Sequence, residues 1–250
     1  MRLVPFQLFA AVLAVVVSAQ TAAEREYRAG VELFRKGRLA EAIPRLRQAV
    51  RLEPAQADYQ KALGVAYGAV GDYASAEEPL GTACRLNAAE EDACFYWARA
   101  LYALDRFESS LAALEKAAPV DRRPYRVHLA MAQALDGLGR AEQAEKQFRI
   151  AHAGLAVAQP ALEEDPRLGY GVFLFRQGRA AEALPLLEAA AGAHPRSARA
   201  RFEHARALVA ESRLERAVAE LKQALALDPG HEPARLLLAK LERRLTAPAP

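Results

Sequence analysis

The residues that could support catalysis or hold a metal are scattered along this chain. Five histidines occur, and none forms the i, i+4 pair around a glutamate that marks a helical zinc site. They are His128, His152, His194, His204 and His231. Adjacent carboxylates such as Glu77-Glu78 and residues 163–165 read as solvated surface charge, and no nucleophile elbow or phosphate-binding glycine loop occurs. We therefore expect a non-enzymatic protein with no metal site and no cofactor.

The first residues, MRLVPFQLFAAVLAVVVSAQ, differ from the rest of the chain. Arg2 is their one charge, and an apolar run of about 15 residues leads to the small residues Ser18 and Ala19. That run is shorter than the ~20 residues of a membrane-spanning helix. The order predicts a signal peptide at 1–19, cleaved near Ala19, and a periplasmic or secreted protein without stable membrane insertion. The alternative is an uncleaved N-terminal anchor.

Two cysteines occur, Cys84 and Cys94, on either side of a predicted turn at 87–92. Export to an oxidising compartment favours a disulfide between them. The alternative is two unpaired cysteines that act as small hydrophobic side chains in the core. A single bridge cannot replace a core, so the fold must depend on packing.

Composition excludes two classes of protein. Of the 250 residues, 52% are hydrophobic, which is more than a disordered chain carries. The formal net charge is only +3, and opposite charges alternate along the chain. A nucleic-acid-binding surface would need a clustered basic face, so no nucleic-acid partner is expected.

One stretch of the sequence returns far downstream. Residues 34–54 read FRKGRLAEAIPRLRQAVRLEP, and residues 175–195 read FRQGRAAEALPLLEAAAGAHP. Aligned on it, six repeats start at residues 23, 57, 91, 125, 164 and 198, spaced by 34 residues except for five extra before the fifth. Within each repeat the apolar positions recur at spacings of 3, 4 and 7, which predicts two amphipathic helices.

Several positions of the repeat keep one kind of residue. The eighth is always small: Gly30, Gly64, Ala98, Ala132, Gly171 and Ala205. The twenty-fourth is always bulky: Leu46, Leu80, Leu114, Phe148, Leu187 and Leu221. The fifteenth suits a helix end: Gly37, Gly71, Asp105, Gly139, Gly178 and Ser212. Small and large residues in register let neighbouring helices approach and interlock.

This pattern resembles the tetratricopeptide repeat family over residues 23–231. The resemblance implies an all-α fold, a right-handed α-solenoid of antiparallel helix pairs. We expect repeats 1–4 within 20–156, an insertion at 157–163, repeats 5–6 at 164–231, a capping helix at 232–246 and a disordered tail at 247–250. The insertion either lengthens the preceding helix and loop or bends the stack.

In this family the first helices of the repeats line a concave groove. Carrying the groove positions onto this chain predicts a peptide-binding set rich in aromatic and basic residues, the types that anchor bound peptides. The set is Tyr27, Phe34, Lys61, Phe95, Arg99, Tyr102, Gln133, Phe175, Phe202 and Arg206. The leading hypothesis is an exported scaffold that binds a peptide or helix of a protein partner in this groove, with the assembly of an envelope complex as one use. The alternative is an accessory subunit of an enzyme complex whose catalytic chain is separate.

Overall fold

A computed structural model describes residues 22–87, 92–155, 160–161 and 164–246. Within these ranges the chain forms thirteen α-helices and no strand, which confirms the all-α prediction. The predicted signal segment 1–19 and tail 247–250 lie outside the described residues, as does most of the predicted insertion at 157–163. None of the described helices is both long and apolar enough to cross a membrane.

The chain divides into two compact units, a N-terminal block that ends at Arg122 and a C-terminal block that begins at Arg123. The boundary falls between the third and fourth repeats, ahead of the predicted insertion. The N-terminal block holds α1 (22–35), α2 (Leu39–Leu52), α3 (Ala57–Ala69), α4 (Tyr73–Leu86), α5 (Ala93–Ala103) and α6 (Phe107–Ala117). Each successive pair is one repeat.

The C-terminal block holds three more pairs and a final helix. These are α7 (Pro124–Gly137), α8 (Ala141–Ala153), α9 (Pro166–Arg176), α10 (Ala180–Ala193), α11 (Ala198–Ala210), α12 (Leu214–Leu227) and α13 (Glu232–Thr246). The last of these buries Ala234 and Leu241, and its remaining leucines are at least partly exposed. This helix occupies the range predicted for a terminal cap.

The turn inside each repeat is made by one residue in the left-handed region. Its φ is 57–77° at every fifteenth position: Gly37, Gly71, Asp105, Gly139, Gly178 and Ser212. Glycine adopts this conformation without a Cβ clash, which explains four of the six residues. The predicted helix ends are therefore confirmed.

The core of each block forms where small and bulky positions meet. All six bulky residues at the twenty-fourth position are buried, at 2% exposure or less. Opposite them, a Cβ added to Gly30 or Gly171 would come within 2.7 Å of Leu46 or Leu187 side-chain carbons. The interlocking expected from the repeat pattern is thus present, and it leaves no room for a larger residue at these glycines.

A buried carboxylate fixes the start of α9. Asp165 is 1% exposed and accepts hydrogen bonds from the backbone N–H and guanidinium of Arg167 and from His194 Nε2 at 2.8 Å. Burial opposes ionisation of Asp165, but these hydrogen bonds outweigh it and hold the pKa of the carboxyl below its usual range. His194 follows α10, so the contact ties the start of one helix to the end of the next.

Candidate functional site

A pocket of about 220 Å³ opens in the N-terminal block between α3, α4 and α5. Its lining is mostly apolar and includes Val65, Gly68, Tyr73, Leu80, Tyr96 and Arg99. Pockets for drug-sized molecules usually measure ~300–1,000 Å³, whereas a cavity of ~150 Å³ already admits benzene. The space therefore matches one large side chain better than a whole small molecule.

Gly68 is the reason the pocket is open. It lies within α3, where glycine costs a helix roughly 0.5–1 kcal/mol relative to alanine. Packing does not require it, because a Cβ added there would meet no atom within 4 Å. Gly68 occupies the twelfth position of its repeat, where three other repeats carry Phe34, Tyr102 and Phe175. The second repeat lacks the ring that those three have.

Phe34 shows what a ring at this position does. In the first repeat it packs against the cluster of Leu46, Leu63 and Ala66, together with the half-buried Val31 and Ala62. Four of these residues have counterparts 34 positions later that line the pocket: Leu80, Ala100, Val65 and Tyr96. The pocket therefore lies beside Gly68, the residue equivalent to Phe34, and four of its lining residues are equivalent to residues of the Phe34 cluster.

Arg99 supplies the charge at the pocket. Among the lining residues, all within the described part of the chain, it is the one with an ionised side chain. It is exposed, and no carboxylate among the described residues pairs with it. Tyr102 lies three residues further along α5, is 39% exposed, and rests its ring 5.4 Å from that of Phe107. This stripe of α5 offers a cation and an aromatic ring to solvent.

The other predicted groove residues of the N-terminal block contribute to packing. Tyr27 stacks on Tyr59 at 4.6 Å between ring centroids, and the Tyr59 hydroxyl donates to Glu24. Burial and the neighbouring Glu24 raise the pKa of Tyr59. Lys61 is half-buried, with its Nζ 3.9 Å from Asp58. Like Phe34, these side chains already contact other residues of the N-terminal block and are at least partly buried there.

The structure corrects the assignment of Phe95 to the groove. Phe95 is 2% exposed and belongs to the core. The physical reason lies in the first turn of α5, where Ala93, Cys94 and Phe95 are all buried. Since three consecutive residues of this turn are buried, helical periodicity cannot separate an inner from an outer face among them.

Cys84 and Cys94 form a disulfide, with 2.02 Å between their Sγ atoms. Both residues are 1% exposed. Cys84 lies near the end of α4 and Cys94 near the start of α5, so the bridge joins two helices that line the pocket.

In the C-terminal block three predicted groove residues come together. The Arg206 guanidinium carbon lies 4.5 Å from the Phe175 ring centroid and 5.8 Å from that of Phe202. Arg206 also donates to Glu203, and Phe202 packs on His231. Phe175, Phe202 and Arg206 therefore already contact one another within the block. The remaining predicted residue, Gln133, is half-buried on α7.

Comparison with known proteins agrees with this architecture. Two family models match the chain, one described as tetratricopeptide repeat over residues 174–241 and one as TPR repeat over residues 30–71. The chain is a tetratricopeptide repeat protein. It is also 36% identical over 97 residues to the TPR repeat-containing thioredoxin TTL4 of Arabidopsis thaliana, a match that covers 39% of this chain and 14% of that protein.

Solved structures share the fold of this tetratricopeptide repeat protein. The Cut9–Hcn1 hetero-tetramer of the APC/C contains a chain that aligns with a TM-score of 0.76 at 13% identity, covering 94% of this chain and 46% of that one. PilF of Pseudomonas aeruginosa aligns with a TM-score of 0.69 at 18% identity, covering 89% and 99%. At these identities the likeness shows the fold alone.

Sequence reasoning missed Gly68, Tyr73 and Tyr96 as site residues. A signal for Gly68 was present, since glycine replaces an aromatic residue at a position that is otherwise often aromatic. Tyr73 begins α4, a second helix of a repeat, and the groove prediction considered first helices alone.

Proposed function

We propose that this protein is a non-enzymatic scaffold that binds a segment of another protein along the first helices of its N-terminal block. The tetratricopeptide repeat fold generally mediates protein–protein interaction, and the Cut9–Hcn1 assembly contains two different proteins. The observation that carries the proposal is the pocket beside Gly68, because an apolar recess with a polar rim is the usual seat of an anchoring side chain.

Site-specific crosslinking tests this proposal. In one variant of this protein a photoreactive amino acid replaces Tyr102, beside the pocket. In a second variant it replaces Arg47, an exposed residue on α2. We expect a discrete adduct with another protein from position 102 and none from position 47, and we expect Gly68→Phe to abolish the adduct. Equal labelling from both positions, or adducts unaffected by Gly68→Phe, would contradict binding at this site.

We further propose that the scaffold works outside the cytoplasm after cleavage near Ala19. The apolar segment 3–17 supports this, and the buried disulfide is of the kind found in oxidising compartments. The intact mass of the native protein tests it, since cleavage after Ala19 leaves a chain that begins at Gln20. A full-length chain recovered with membranes would instead indicate an uncleaved anchor.

The second candidate is an accessory subunit of an enzyme complex. The match to TTL4 supports this candidate, because that protein is described as a thioredoxin that contains TPR repeats in the same chain. The match covers only 14% of the length of TTL4. Identification of the crosslinked partner by mass spectrometry separates the two candidates. A partner with catalytic activity favours the accessory role, and one without favours the scaffold.

A further inference from the structure

The pocket of the N-terminal block lies where the second repeat lacks the aromatic side chain that the first repeat carries. Phe34 of the first repeat packs against the cluster that contains Leu46 and Ala66. The corresponding Leu80 and Ala100, each 34 residues later, line an open space, because Gly68 has no side chain to cover them. The space of about 220 Å³ exceeds the ~150 Å³ that admits benzene, so one aromatic ring fits.

Arg99 restricts what accompanies that ring. Arg99 lines the same pocket, and its guanidinium has no carboxylate partner among the described residues. The nearby Asp72 is already engaged, since it caps α4 by accepting from the backbone N–H of Ser75. A carboxylate brought in by a partner would complete a charge-assisted hydrogen bond with Arg99. An extended chain advances ~3.3 Å per residue, so that carboxylate must lie within one or two residues of the ring.

We propose that the pocket binds an aromatic side chain of a partner protein that has an aspartate or glutamate within two residues of it. This inference rests on the proposed function and names the chemistry of the partner. The ring takes the place that Phe34 occupies in the preceding repeat, and the carboxylate pairs with Arg99. Tyr102, 39% exposed on the same stripe of α5, extends the contact beyond the pocket.

Selection of random dodecamer peptides displayed on phage tests the chemistry. The protein is immobilised as wild type and as three variants: Gly68→Phe, Arg99→Glu and Arg47→Glu. Gly68→Phe places a ring in the pocket from within, and nothing lies within 4 Å to obstruct its first carbon. Arg47→Glu makes the same charge change as Arg99→Glu at another exposed site of the same block.

We expect peptides enriched on wild type to share an aromatic residue with a neighbouring carboxylate. Loss of an anchoring contact should weaken their binding at least about tenfold on Gly68→Phe and on Arg99→Glu, and leave it unchanged on Arg47→Glu. On Arg99→Glu, fresh selection should replace the acidic residue with lysine or arginine.

Four outcomes would overturn the inference. If the enriched peptides bind Gly68→Phe as tightly as they bind wild type, they use another surface. Partner binding would then stand, but binding in the pocket would be rejected. If the enriched peptides share an aromatic residue but no acidic residue, the proposed pairing of Arg99 with a carboxylate would be rejected. Self-association of the protein that Gly68→Phe abolishes, measured by size-exclusion chromatography, would assign the pocket to a second copy of this chain. Failure to enrich any peptide, with no crosslink from position 102, would reject the proposed function as well.

Discussion

Gly64 and Gly68 lie one turn apart on α3, and only Gly64 is required by packing. A Cβ added to Gly64 would come within 2.4 Å of Leu80 Cγ, whereas one added to Gly68 would meet nothing within 4 Å. Leu80 thus touches α3 at Gly64 and lines the pocket below Gly68. The same helix therefore uses one glycine for close approach and leaves the other to keep a recess open.

These two glycines should respond oppositely to substitution. We expect Gly64→Leu to lower the free energy of unfolding by roughly 1–3 kcal/mol through overpacking. Gly68→Ala should raise it by roughly 0.5–1 kcal/mol, because alanine restricts the unfolded chain and favours the helix. Urea denaturation followed by circular dichroism measures both. Gly192→Ala on α10, where a Cβ also meets nothing within 4 Å, should match Gly68→Ala. Destabilisation by Gly68→Ala would contradict the open pocket.

The disulfide should stabilise the N-terminal block. Cys84 and Cys94 are 10 residues apart, and closing so short a loop contributes roughly 2–3 kcal/mol by the loop-entropy estimate. We expect a reductant to lower the urea midpoint of the wild type, and the double variant Cys84→Ala/Cys94→Ala to be insensitive to it. Thiol titration of the unfolded native protein provides the control. Two free thiols before reduction would refute the bridge.

Acidification should destabilise the C-terminal block through His204. This residue is 3% exposed and neither ring nitrogen has a hydrogen-bond partner in the described structure. Burial lowers the pKa of His204, and this outweighs the opposite effect of Glu220 and Glu188; the charges of Arg216 and Arg201 also lower it. The unfolded chain therefore binds the proton first as the pH falls below about 6.5. The stability contributed by neutral His204 is complete above that pH and is lost as the pH falls through the folded pKa.

Replacing His204 should remove this part of the pH dependence. We expect His204→Phe, an aromatic like Trp97 and Tyr170 at the same repeat position, to flatten the fall in unfolding free energy between neutral pH and the folded pKa. His152→Gln, at an exposed site on α8, should leave the profile of wild type unchanged. Urea midpoints measured across this range give the comparison, and parallel profiles for wild type and His204→Phe would reject the assignment.

Arg206 and Phe175 should be energetically coupled. The guanidinium carbon lies 4.5 Å from the ring centroid, and a partly exposed pair of this kind contributes roughly 0.5–1 kcal/mol. A double-mutant cycle with Phe175→Leu and Arg206→Met isolates this energy from the separate contact of Arg206 with Glu203. Arg206→Lys should keep the charge but lose part of the coupling, since the planar group stacks better. Additive single-variant effects would show that the contact carries no energy.

The helix pairs and their turns could be predicted from the sequence because their causes are local. The residue at the fifteenth position decides whether the backbone can turn, so Gly71 and Gly178 marked helix ends that the structure confirms. The bulky residues at the twenty-fourth position, such as Leu80 and Leu187, were likewise found in the core.

The groove residues were harder to predict because helical position alone does not determine exposure. Phe95 fits the pattern of an inner face, yet it is buried together with Ala93 and Cys94 in the first turn of α5. Phe175 and Arg206 lie on different helices and stack on each other, which no single-helix pattern encodes.

By itself the sequence determined a chain of six repeated helix pairs, because the period of apolar residues sets which stripe of each helix is buried. Only the tertiary structure decided which polar and aromatic side chains contact a neighbouring side chain and which remain exposed without such a contact. That outcome depends on the sizes of side chains about 34 positions apart, as with the ring of Phe34 and its absence at Gly68. Contacts between helices therefore decide the site, whereas the pattern within each helix decides the fold.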